Sequence, residues 1–266
     1  MNIFHDYLPK LAEMIVSVND FHPFPKYDER EKWQMVNPSF KTSLLTDATK
    51  YLHFNWPSLP ATLYLEYARN GNRENYETPY FLRRKALETL VLAECLEGKG
   101  QFCDDIINGI WNICEEATWV VPAHLNNEFI HLPIPGTTVI DLFSVDTGAL
   151  LSWILYLFYD WFEENCPEII EKLEFELNIR IKSHYLETEK YGWLGLNGNR
   201  VNNWNPWINA NMLAIFLLSR EDSSIRIWGI SKVLQSLNAF LNSYDEEGGC
   251  DEGPTYWFVA GGKLLD

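Results

Sequence analysis

Between Val201 and Trp207 the chain sets three asparagines, Asn202, Asn203 and Asn205, around two tryptophans, Trp204 and Trp207. A second dense stretch, Glu246 to Trp257, carries the carboxylates Asp251 and Glu252 and the phenol Tyr256 beside Trp257. Amides and carboxylates hydrogen-bond hydroxyls and uronate oxygens, while indole faces stack on the apolar faces of sugar rings. These residue types together are those of a carbohydrate cleft. A phenol in such a cleft can take or give a proton once its surroundings bring its high intrinsic pKa toward the working pH.

Each of these residues also has a plainer reading. Asn202, Asn203 and Asn205 can form Asx-turns that organise a loop ending at a helix start near Pro206. Tyr256 can be a rim aromatic at the head of a helix opened by Gly253-Pro254, and Asp251 and Glu252 suit the free amides and dipole of that helix as well as a substrate. Trp204 and Trp207 can pack into a wall. His124 follows Pro122-Ala123 at a helix break, with Glu116 and Trp119 close in sequence. It can donate to a substrate oxygen or act as an acid near neutral pH, or it can be a structural histidine bonded to a carbonyl. His131 and His184 have no arguable partner in the sequence, and no His-x-x-x-His or clustered carboxylate spacing appears, so neither a metal nor a cofactor is expected.

The elements that must position these groups are helical. Apolar residues recur at three- and four-residue spacing over Leu44–Phe54, Ala61–Arg69, Tyr80–Leu96, Phe102–Glu116, Leu142–Glu164, Pro167–Leu186, Trp207–Ser219 and Ser223–Tyr244, and alternating strand-like runs are nearly absent. Long aromatic loops separate them, notably 192–205 and 246–254. The expectation is an all-α fold, an incomplete (α/α) toroid of antiparallel helix pairs whose connections gather into a binding mouth. No repeat or linker divides residues 1–266, so one domain is expected. Because Phe258–Asp266 starts a helical pattern and then stops, that domain is expected to be the N-terminal part of a longer architecture.

Composition narrows the partners. The formal charge of -16 argues against nucleic acid and anionic membrane surfaces, which reward basic patches. The aromatic content of 15% exceeds what a core needs and favours a ring-bearing ligand. The N-terminus lacks the pattern of a signal peptide, and the longest uncharged apolar run, Gly148–Tyr159, is too short to span a bilayer. Five cysteines without a Cys-x-x-Cys pair suit reduced thiols, so a cytoplasmic location is expected. No signature of an oligomeric state is present.

Four blocks taken in order, Cys114–His124, Ile140–Leu151, Asn202–Trp207 and Gly249–Trp257, resemble the N-terminal helical domain of the heparinase II/III-like polysaccharide lyases over roughly residues 40–266. The resemblance implies an α/α toroid followed in full-length members by a β domain. It also implies β-elimination on a uronic acid-containing oligo- or polysaccharide, with loss of the C5 proton, stabilisation of the charge by the uronate carboxyl, and departure of the C4 oxygen. That chemistry needs a group to offset the uronate charge, a base for the proton and an acid for the leaving oxygen. The family's tyrosine falls on Tyr256 and its carboxylate-binding asparagine on Asn202 or Asn203. Trp204, Asn205, Trp207, His124 and Glu252 would line the cleft. Trp204 stands where many relatives carry histidine, and a further catalytic histidine of relatives commonly lies beyond the position of Asp266. Two rival readings stand beside this one: an α/α-toroid glycoside hydrolase drawing its acid and base from Asp146, Asp251 and Glu252, and a non-catalytic carbohydrate-binding domain.

Overall fold

The computed structural model describes residues 3–4, 6–125, 131–134, 138–198, 200–243 and 253–265. Among these every regular element is a helix and no strand occurs, the all-α class that the three- and four-residue spacing predicts. The principal helices are α1 (Pro38–Ala48), α2 (Glu74–Glu97), α3 (Cys103–Cys114), α4 (Leu142–Asn165), α5 (Pro167–Leu177), α6 (Trp204–Leu218), α7 (Ser223–Ser243) and α8 (Pro254–Leu265). The predicted segment Leu44–Phe54 proves to be the end of a helix that begins at Pro38, where Asn37 Oδ1 caps the Ser39 amide at 2.9 Å. Pro38, Ser39 and Phe40 of that first turn are exposed, Phe40 at 56%, so burial imposes no apolar period on them. The predicted segment Pro167–Leu186 runs through a π-helical turn, Asn178–Lys182, into the short helix Ser183–Glu187.

The chain forms two compact units. The first comprises Met1–His22, Ile140–Ser152 and Asn178–Asp266, and the second Pro23–Val139 and Trp153–Leu177. Helix α4 therefore contributes to both. It has the length and mean hydropathy, 1.4 over 18 residues, of a membrane span, yet 72% of that window is buried, as in a core helix.

In the second unit, α2 and α3 form an antiparallel pair closed by the five residues 98–102. Gly98 ends α2 in the left-handed conformation, φ 66°, with its amide bonded to the Glu94 carbonyl at 2.7 Å. A side chain there would also meet the Arg30 guanidinium. Glu94, fully buried, accepts from the amides of Gly100 (2.7 Å) and Phe102 (3.1 Å) and from the Tyr27 hydroxyl (3.1 Å), so one carboxylate fixes the turn and the head of α3. Asp105 accepts from the amides of His53 and Phe54 and ties the 53–56 loop to α3. Burial pushes the Cys95 and Cys103 thiols up to about 12, which leaves them unreactive packing groups.

In the first unit, α6 and α7 cross where Gly229 meets the Phe216 ring, a contact that leaves no room for a Cβ. A buried polar network joins them to the 192–195 turn. Ser236 Oγ donates to the Leu194 carbonyl (2.7 Å) and accepts from Asn209 Nδ2 (2.8 Å), and Asn209 Oδ1 accepts from the Tyr185 hydroxyl (2.7 Å). Lys232 Nζ donates to the carbonyls of Tyr185, Leu186 and Thr188, satisfying the end of the short helix Ser183–Glu187.

Candidate functional site

The first unit brings together the Ile140–Leu151 and Asn202–Trp207 blocks with α8. Asp141 opens α4 by a reciprocal cap in which its carboxylate accepts from the Ser144 amide (2.8 Å) and its own amide donates to Ser144 Oγ (2.9 Å). With the start of the helix fixed in this way, Asp146 falls in the second turn. Its Oδ1 accepts from Trp207 Nε1 at 2.8 Å and from Asn211 Nδ2 at 2.6 Å, two side chains one turn apart on α6. Lys263, on α8, lies with Nζ 6.0 Å from the Trp207 ring centroid, and Phe143 meets that ring edge-on at 6.2 Å.

Asp146 is half-buried, and its Oδ2 has no hydrogen-bond partner among the described residues. Burial raises its pKa above the ordinary carboxylate value, while the hydrogen bond from Trp207, the charge of Lys263 and the hydrogen bond from Asn211 only partly oppose the rise. A carboxyl held by one oxygen and open at the other can accept a hydrogen bond from a sugar hydroxyl or, when protonated, give its proton.

At the head of α6, Asn202 is exposed and its Oδ1 accepts from the Trp204 amide at 3.2 Å, an Asx-turn of the kind the spacing predicts. The Asn202 Nδ2 group has no partner among the described residues. Asn203 is 3% exposed, and its carbonyl accepts from the Trp207 amide. The sequence alone left the register between these two asparagines open, and burial separates them. Asn205 is fully buried, its Nδ2 within reach of the Trp193 carbonyl (2.7 Å) and of Ser236 Oγ (3.0 Å) and O (3.1 Å). It therefore holds the head of α6 to the core. Trp204 and Trp207 are half-buried, one turn apart.

Tyr256 lies in the first turn of α8, 47% exposed, and its hydroxyl has no hydrogen-bond partner among the described residues. It shares a face with Ala260 and Lys263, four and seven residues on. Ala260 is fully buried against Val201 and Phe240. That contact docks the face bearing Tyr256 on the residue immediately before Asn202, so the tyrosine lies about one helical turn, roughly 6 Å of rise, from the docking point. Glu252, Asp251 and the rest of 244–252 lie outside the described residues.

His124 belongs to the second unit, half-buried at the end of the short turn Pro122–His124. Asn211 and Lys263 stand in no motif or cluster that would single them out in the sequence. Each continues the helical face of a candidate site residue, Trp207 plus four and Tyr256 plus seven. His184 also gains a partner: its Nε2 lies 2.9 Å from the Tyr191 hydroxyl, which accepts from the Ile140 amide at 2.8 Å and so donates to an unprotonated Nε2. Burial lowers the His184 pKa, in keeping with the neutral ring. Among the described residues no three His, Cys, Asp or Glu side chains gather where they could hold a metal ion. Compared with protein-family models and with curated proteins, the chain finds no match.

Proposed function

We propose that this protein acts on uronic acid-containing oligo- or polysaccharides by β-elimination, as a polysaccharide lyase of the heparinase II/III-like kind built on an α/α toroid. The observation that carries the reading is the docking of α8 on the head of α6, with Ala260 against Val201. It seats the helix that bears an exposed phenol against the segment that bears an exposed amide and two half-buried indoles.

In this reading the Asn202 amide donates to the uronate carboxyl, and withdrawing charge from that group makes the C5 proton more acidic. Tyr256 takes the C5 proton or delivers one to the departing C4 oxygen. Trp204 and Trp207 stack on neighbouring sugar rings, and Lys263 adds positive charge beside Trp207 that favours an anionic sugar in an otherwise acidic protein. The test is ultraviolet absorbance of the unsaturated uronate, followed with heparan, chondroitin, hyaluronan, alginate and pectic oligosaccharides. A rise that disappears in Tyr256→Phe supports elimination. Absence of a rise on every substrate, with binding still seen by calorimetry, leaves a sugar-binding domain instead.

Asp146 favours a second reading, hydrolysis by a carboxyl acid, since its raised pKa and open Oδ2 suit proton donation. New reducing ends without ultraviolet absorbance, lost in Asp146→Asn and kept in Tyr256→Phe, would identify that chemistry.

A further inference from the structure

The second unit contains a cavity of about 400 Å³, within the range of small-molecule sites. Leu59, Tyr64, Leu132 and Pro133 supply apolar and aromatic wall, and Tyr76 and Arg83 supply polar groups. Arg83 and Glu116 of its wall form, with Arg84, a buried ionic cluster with two cations for one anion. Glu116 Oε1 accepts from Arg83 Nη1 (3.1 Å) and Arg84 Nη1 (2.9 Å), and its Oε2 accepts from Arg84 Nη2 (2.6 Å). The three side chains are 8%, 11% and 1% exposed. Arg84 takes both oxygens of the carboxylate, as a guanidinium fork does, so the charge of Arg83 is the one left in excess.

Arg83 is also short of acceptors. Of its five N–H groups, Nε and one on Nη2 go to the Pro57 carbonyl (2.8 and 2.5 Å), and the two on Nη1 go to Asn112 O and Glu116. One N–H on Nη2 remains. Tyr76 is 4% exposed, and its hydroxyl has no hydrogen-bond partner among the described residues. Glu115 also lines the cavity, but its side chain is 54% exposed and ion-paired to Lys172 at 2.7 Å, and Lys172 in turn meets Glu176 at 3.1 Å. Water and salt screen Glu115 more than they screen the buried cluster.

We infer that this cavity is a binding site for a small ring-bearing monocarboxylate, whose carboxylate takes the spare Arg83 N–H and the Tyr76 hydroxyl and whose ring lies against Leu59, Tyr64, Leu132 and Pro133. The site stands independently of the proposed lyase chemistry, since none of the described residues assigned to that chemistry lines it.

Sodium benzoate and sodium D-glucuronate are the probes, with benzyl alcohol and glucose as their uncharged counterparts, titrated by calorimetry into the intact protein. At least one acid is expected to bind with a dissociation constant below about 1 mM, at least about ten-fold tighter than its uncharged counterpart, and more weakly in high salt. Which acid binds identifies the ring. Ala117→Trp, at an exposed lining position, is expected to abolish binding with the fold intact, and Tyr76→Phe to weaken it about ten-fold. Since Arg83→Met can simply unfold the unit, the proposal rests on the other two variants. It is overturned if neither acid binds at about 10 mM, if the alcohol binds as well as the acid, or if Ala117→Trp leaves binding unchanged.

Discussion

Each unit holds a carboxylate beside basic and aromatic groups, Glu116 buried and Asp146 half-buried, and the two are satisfied in opposite ways. Glu116 in the second unit has both oxygens engaged by guanidiniums, with Arg84 Cζ 3.3 Å from the Tyr80 ring centroid behind it. Asp146 in the first unit has one oxygen engaged by neutral N–H donors and the other open, with a lysine nearby rather than on it. A fully engaged carboxylate has no oxygen left for a ligand and serves packing. One that is half engaged and desolvated has its charged form disfavoured, which suits proton exchange. The number of donors per oxygen thus distinguishes a carboxylate committed to packing from one with an oxygen open to a ligand.

Removing the structural carboxylate should have the largest effect. Glu116→Gln leaves two buried guanidiniums without a counter-charge, and it is expected to lower unfolding free energy by about 3–5 kcal/mol, the cost of breaking a buried pair from one side. Urea unfolding of the intact chain measures it. A change under about 1 kcal/mol would mean that water reaches both guanidiniums, and the contrast with Asp146 would collapse.

Asp146→Asn should be much milder, within about 1 kcal/mol, because an amide oxygen still accepts from Trp207 and Asn211. Its signature is pH dependence. A carboxyl whose pKa is raised by folding stabilises the native state below its unfolded value near 4, and that contribution is lost as pH rises through the native value. The variant should remove this downward slope, so wild type and Asp146→Asn should converge in acid and separate, in the variant's favour, toward neutrality. An unchanged slope would mean that Asp146 is solvated like a surface carboxylate.

The helices and their class were legible because burial on one side of a helix imposes a period that survives in the sequence. Leu142–Glu164 and Phe102–Glu116 differ from the observed α4 and α3 by one or two residues. The candidate site was legible only where rare residue types clustered. Asn202, Trp204, Trp207 and Tyr256 were visible as types, but which asparagine is exposed depends on how the head of α6 is pinned by Asn205 to the Trp193 carbonyl and Ser236. Asn211 and Lys263 are common residues in apolar helices, and only the packing of α6 against α4 and α8 gives them neighbours worth naming.

His184 extends the comparison to a basic group. Its neutral ring is held by Tyr191, which fixes the Ile140 amide just ahead of the Asp141 cap. The lowered pKa sets the sign: stability is full above the unfolded value near 6.5 and falls as pH drops through the native value. The melting temperature should therefore decline on acidification below pH about 6.5, and His184→Gln should flatten that part of the profile. An identical decline in the variant would assign the acid sensitivity to other groups.

The smallest effect on stability should accompany the largest effect on chemistry. Tyr256 is exposed at the first turn of α8, and its hydroxyl has no hydrogen-bond partner among the described residues, so Tyr256→Phe removes no contact that folding uses. Its unfolding free energy should stay within about 0.5 kcal/mol of wild type. If the phenol carries protons in elimination, as proposed, turnover should fall by at least about a hundred-fold while oligosaccharide affinity, which the proposal assigns to Asn202 and the tryptophans, changes little. A loss of affinity and turnover together would make Tyr256 a contact in the cleft wall. A loss of turnover alone would show a group that the fold leaves unsatisfied because its partner is the substrate.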